Sequence, residues 1–138
     1  MSEFQRLHSV TDAMYLRAQQ SLRTVLLREA ELRGELNKLD QNAQIARSEH
    51  SEKIESMRAL GADILWEGWV ARTRAQLNLD LAKVLAQKEK NIGSVRKAFG
   101  KKIVSQKLLT QDMTANAKAL RQRALNQAIE HALRHENQ

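Results

Sequence analysis

Few residues of this chain are of types and spacings that could do chemistry. The stretch Gly93-Ser-Val-Arg-Lys-Ala-Phe-Gly100-Lys101-Lys102 sets glycines and lysines in an order reminiscent of a phosphate-binding loop. Such a loop needs four residues between its glycines, a Ser or Thr after the lysine and a strand before it. Here six residues intervene and a second lysine follows, so the cradle is rejected. His131 and His135 lie four apart, a helical spacing that can set two imidazoles on one metal. Only Glu130 and Glu136 stand near as further ligands, close to the end of the sequence, where helices fray. His50 falls on an apolar stripe opposite Leu77 and reads as a half-buried seam histidine. Glu29, Glu31 and Glu35, like Glu49, Glu52 and Glu55, flank the stripe near Arg28, Arg33, Lys53 and Arg58, as solvated helix pairs do. No nucleophile–base pair stands out. The expectation is no catalytic residue, no metal, no cofactor and no small-molecule substrate.

What remains is a question of helices. The 138 residues hold no proline and no cysteine, and only 4% are aromatic. Without proline nothing must break a helix, and few aromatics imply a thin core. Apolar or small residues recur at three-and-four spacing through Phe4, Leu7, Met14, Ala18, Leu22, Val25, Leu32, Leu36, Leu39, Ala43, Ala46, Ile54 and Met57. A second stripe runs from Trp66 and Val70 through Leu77, Leu81, Val84, Ile92, Val95, Phe99 and Ile103, and on through Met113, Ala117, Leu120, Ala124 and Ala128. Narrow stripes with charged flanks suit coiled-coil seams. Ser2 and Gln5 fit a capping box at the start of the first helix.

The stripes mirror one another. Leu7 with Leu120, Met14 with Met113, Leu32 with Val95 and Ala43 with Val84 each total 127 in residue number. An antiparallel hairpin needs such registry, and its turn would fall near residues 61–63, where Gly61 suits a helix end and Asp63 a helix start. The expected fold is therefore all-α: one two-helix antiparallel coiled-coil hairpin over 1–138, with helices at about 3–60 and 64–135. A monomer is favoured over a homodimer of continuous helices, because Gly61 and Gly68 oppose an unbroken helix.

Charge divides the chain at the same place. Met1–Trp69 holds 9 Lys/Arg against 11 Asp/Glu, and Val70–Gln138 holds 14 against 5. Lys83, Lys88, Lys90, Arg96, Lys97, Lys101, Lys102 and Lys107 form a basic band relieved only by Glu89. Such a band suits a soluble helix face, an acidic protein groove or a phosphate backbone; no aromatics interleave with it, so nucleic acid is not favoured. Leu65, Trp66 and Trp69 would crowd the closed tip of the hairpin as an apolar anchor. No basic-then-apolar leader opens the sequence and no run approaches ~18 apolar residues. The expected place is the cytoplasm.

A basic, proline-free chain with paired heptad stripes, the segment V-R-K-A-F-G-K-K and helices reaching nearly to both ends of the sequence resembles the flagellar FliJ and type III secretion YscO stalk family. These are similar in turn to the coiled-coil part of the gamma subunit of rotary ATP synthases. The resemblance implies a non-enzymatic central stalk, cytoplasmic and peripheral to a membrane export complex. Its open end would enter a hexameric export ATPase, and its closed tip would meet the membrane export-gate protein. Phe4, Leu7, Arg121 and Arg123 would then belong to the ATPase end, and Leu65, Trp66 and Trp69 to the gate end. A basic coiled-coil module that binds nucleic acid and a homodimeric scaffold are the alternatives.

Overall fold

The computed structural model describes residues 2–51 and 57–137, with side chains for 2–49 and 61–137. It is all-α, a hairpin of two long helices packed on each other: α1 over Glu3–Ser51 and α2 over Met57–Glu136. The capping box forms as the sequence suggests. The Ser2 amide donates to Gln5 Oε1 at 2.9 Å and the Gln5 amide to Ser2 Oγ at 3.2 Å, which satisfies amides that have no partner within the helix. Arg134 and His135 stand in the last turn of α2, where positive charge suits the helix dipole.

The expected boundaries need correction. Gly61, Ala62 and Asp63 lie inside α2, not in a turn, and no described glycine has positive φ. A helical glycine costs about 1 kcal/mol against alanine, whereas each fully buried large apolar side chain contributes roughly 1.5–3 kcal/mol. Val70 is buried against Leu39 and Ala43, with Trp66 and Leu77 packed on the same cluster. The glycine raises the cost of the helix without forbidding it, and α2 continues through it. The described helices are α1 to Ser51 and α2 from Met57; residues 52–56, with Glu52, Lys53, Ile54 and Glu55, and the side chains of His50, Met57 and Arg58 lie outside what is described.

Packing divides the chain into one unit of Ala18–Ser94 and another of Met1–Arg17 with Val95–Gln138. In the first, Glu29 faces Lys88, Asp40 faces Arg74 and Arg47 faces Glu67, falling numbers that mark an antiparallel pair. Its core is thin. Leu32 is 0% exposed, and Leu39, Ala43, Val70 and Val84 complete the buried apolar set of that unit. In the second, Asp12 faces Lys102, Tyr15 faces Phe99, and Thr11 and Ser105 meet at 2.6 Å.

The register also differs from expectation. Asp40 with Arg74 and Asp12 with Lys102 each total 114 in residue number, not 127. The difference is close to two heptads. Sliding one coiled-coil helix past another by whole heptads presents the same stripe to the same stripe, so apolar periodicity alone leaves the two registers nearly equivalent. Met14 is therefore level with Gly100 and not Met113, and Leu7 with Lys107 and not Leu120.

Two outcomes check this fold. Spin labels at residues 14 and 101 should lie within ~15 Å, since packed helix axes are ~8–10 Å apart; labels at 14 and 113 should read roughly 20–25 Å, the extra twelve residues adding about 18 Å along the axis. Leu32→Ala should lower stability by about 2–5 kcal/mol, while Leu133→Ala, on an exposed turn, should stay within about 0.5 kcal/mol in the same thermal or urea unfolding measurement.

Candidate interaction surfaces

The glycine–lysine segment and the two spaced histidines all lie in α2. The segment Gly93–Lys102 is unbroken helix, so its backbone amides are committed to the helix and cannot cradle a phosphate. His131 and His135 meet edge to face at 4.5 Å between ring centroids, and no group of three potential metal ligands occurs among the described residues.

The sequence reading missed one polar cluster. Ser105 Oγ lies 2.6 Å from Thr11 Oγ1 and 3.3 Å from His8 Nδ1; Thr11 donates to the His8 carbonyl at 3.0 Å, and Ser105 can donate to the Lys102 carbonyl at 2.9 Å. A serine beside a histidine has the parts of an activated nucleophile. Ser105 is only 2% exposed, however, and its neighbours are helical turns whose amides are already bonded. An oxyanion on a substrate would find no free backbone donor beside Ser105. The cluster joins the helices. Its signal was present in the sequence as Thr11 between Leu7 and Met14, and as Ser105 seven residues after Ala98.

Glu29 is the charged counterpart in the other unit. Its carboxylate, largely buried, takes Lys88 Nζ at 3.0 Å and Arg33 at 3.1 Å. The hydrogen bond from Lys88, then that from Arg33, holds its pKa below the ordinary carboxylate value.

The cations of the expected band differ in whether they are paired. In the Ala18–Ser94 unit Lys88 is drawn onto Glu29, leaving Lys83 and Lys90 exposed. In the other unit Lys102 binds Asp12 at 3.1 Å with its ammonium 4.9 Å above the Tyr15 ring, while Arg96, Lys97, Lys101 and Lys107 stay exposed.

The two expected ends are rearranged as well. Leu65, Trp66 and Trp69 lie two to three turns inside α2. Trp66 packs inward on the Leu39–Ala43–Val70 cluster, while Leu65 is 74% and Trp69 52% exposed. At the other end, Phe4 is half-buried and Leu7 lies beside Lys101 and Val104, but Arg121 and Arg123 stand more than ten residues farther along α2. Because α1 begins at Glu3, α2 outruns it, and every residue from Met113 to Asn137 is exposed. This single-helix extension carries Met113, Leu120, Leu125, Ile129 and Leu133, between 49% and 63% exposed, together with Arg121 and Arg123. Among the described residues no helix is long and apolar enough to cross a membrane.

Comparison with protein-family models, curated proteins and solved structures finds no match for this chain.

The lowered pKa of Glu29 sets a sign. The ion pair's contribution is complete above the ordinary carboxylate range and is lost as pH falls through the depressed native value. Thermal midpoints measured from pH 6 down to pH 2 should fall in the acid limb. Glu29→Gln should start lower at neutral pH and flatten that limb; an unchanged limb in this variant would assign the acid sensitivity to other carboxylates.

Proposed function

We propose that the chain is a non-enzymatic stalk of a protein-export apparatus, working between a hexameric ATPase and a membrane gate protein. The observation that carries this reading is the extension of α2 beyond α1. An isolated helix is marginal in water, and helices in proteins draw most of their stability from packing. This one leaves its large apolar residues uncovered, so it suits a partner.

Their directions favour a partner that surrounds. At 100° per residue, Leu120 and Leu125 diverge by about 140°, and Leu133 lies about 80° beyond Leu125. A single partner helix would meet one stripe; a ring of subunits meets several. A lone helix about 10–12 Å across also enters a narrow central channel more readily than a helix pair. Lys118, Arg121, Arg123 and Arg134 add positive charge between the apolar positions, suited to carboxylates on a channel wall.

For the gate, the reading shifts from an apolar tip to a side face. Leu65 and Trp69 are the exposed anchors, and large apolar side chains are the usual centres of protein interfaces. Trp66 serves the seam. The chain would respond to unequal contacts in the ring by favouring one arrangement over another.

The test uses the intact chain with an export ATPase and with the cytoplasmic part of a gate protein. Leu120→Ser with Leu125→Ser, and separately Arg121→Glu with Arg123→Glu, should each reduce ATPase stimulation at least tenfold while leaving helicity and melting near wild type. Leu65→Ser with Trp69→Ser should spare stimulation and weaken gate capture. Duplex DNA at about 0.15 M salt should bind weakly, with the steep salt dependence of phosphate neutralisation alone. Undiminished stimulation in both extension variants, or tight DNA binding that survives added salt, would defeat the stalk reading.

A further inference from the structure

The unit formed by 1–17 and 95–138 carries a second surface, distinct from the extension. Leu7 and Thr11 of α1, with Lys97, Gly100, Lys101 and Val104 of α2, line an open groove of about 460 Å³ floored by Ser105. Gly100 widens it, since a Cβ there would meet nothing within 4 Å. The groove is apolar at its base. Leu7 and Val104 are well exposed, and Val10 and Met14 continue the same flank of α1.

Both rims are cationic. Lys97 and Lys101 stand on the α2 side. On α1, Arg6, Val10, Ala13 and Arg17 follow at four- and three-residue steps and form the next ridge outward from Leu7 and Met14. All four cations are exposed, and none makes an ion pair among the described residues. Asp12 is held by Lys102 on the other flank of the seam, and Glu3 lies beyond Arg6, outside the stretch from Arg6 to Arg17. That stretch spans about 16 Å, three helical turns.

We propose that this groove receives an amphipathic helix of another protein, with an apolar face and acidic flanks, as a third helix alongside α1 and α2. Apolar side chains of the incoming helix fill the space left by Gly100 and cover Leu7, Val10, Met14 and Val104. Carboxylates on its two flanks reach Lys97 and Lys101 on one side and Arg6 and Arg17 on the other. The chemistry favours such a helix over a nucleic acid because a phosphate backbone satisfies the rims and leaves the apolar floor open to water. The site is independent of the extension and of the ring reading above.

The test is a titration of the full chain with a fluorescein-labelled designed helix of about 21 residues, leucines on one face and glutamates on both flanks, followed by anisotropy at roughly physiological salt. Saturable one-to-one binding is expected. A version with lysine flanks, and a version with the leucines changed to serine, should each bind at least tenfold more weakly. Gly100→Trp, which fills the groove, should weaken the glutamate-flanked peptide at least tenfold with melting preserved; if that variant melts early, Lys97→Glu with Lys101→Glu must give the same loss. Several results overturn the proposal. They are equal binding of glutamate- and lysine-flanked peptides, full binding of the serine version, and no effect of either groove variant. Displacement of the peptide by duplex DNA would make the surface a polyanion site. A dimer of the chain alone that Gly100→Trp abolishes would give the groove to a second copy.

Discussion

Everything in this structure depends on where the two helices stop sliding past each other. A heptad stripe packs against another heptad stripe equally well at many offsets, because each seven-residue step restores the same faces. Polar contacts within the seam break that equivalence. Thr11 and Ser105 meet at 2.6 Å with both side chains buried, and the Glu29 carboxylate meets Lys88 at 3.0 Å. Moved by two heptads, Ser105 would be set against Leu22, and Glu29 would leave its lysine for the neighbourhood of Ala98. Burying an unpaired hydroxyl costs about 1–3 kcal/mol and an unpaired charge more. Such contacts add little net stability to the right register. Their effect is to penalise the wrong ones.

This is why the sequence disclosed the helices and not their alignment. Of the stripe residues Leu32, Leu39, Ala43, Val70 and Val84 are buried, whereas Leu7, Met14, Phe99 and Ile103 stay exposed and Ala98, off the stripe, is buried; the Ser2–Gln5 cap is where its residue types put it. The turn at 61–63 was inferred from glycine and aspartate as local punctuation. Local preferences of about 1 kcal/mol disfavour a helix at a glycine but do not by themselves end one. The tryptophans illustrate the same limit. At i and i+3 they differ by about 60° around the helix, enough for Trp66 to enter the seam and Trp69 to leave it. Spacing alone could place them on one side of the helix, yet only the position of the partner helix decides which is covered.

Charge was legible as a total and not as a distribution. The second half of the chain carries the cationic excess, but two of the eight cations in the expected band act internally: Lys88 through Glu29, and Lys102 through Asp12 and the Tyr15 face. Exposed pairs such as Arg28 with Glu31 and Arg47 with Glu67 contribute little, because water screens them. The surface field therefore comes from residues the seam does not use. In the unit of 1–17 and 95–138 these include Arg6, Arg17, Lys97 and Lys101, which border the apolar groove.

The register also determines how much of α2 is left alone. Were the facing numbers to total 127, Glu3 would lie level with residue 124, and Met113, Ala117 and Leu120 would be covered by α1. At a total of 114, Glu3 lies level with residue 111 and these side chains face solvent. The same slide removes Leu7 from Leu120 and sets it beside Lys101 and Val104, opening the groove at Gly100. Both candidate surfaces of that unit thus follow from the register that the polar contacts of the seam select. A seam of leucines alone, free to settle two heptads away, would give a chain of equal helicity and similar core, with a shorter extension and Leu7 facing Leu120. The buried hydroxyl pair is one of the contacts on which the position of the proposed partner surfaces rests.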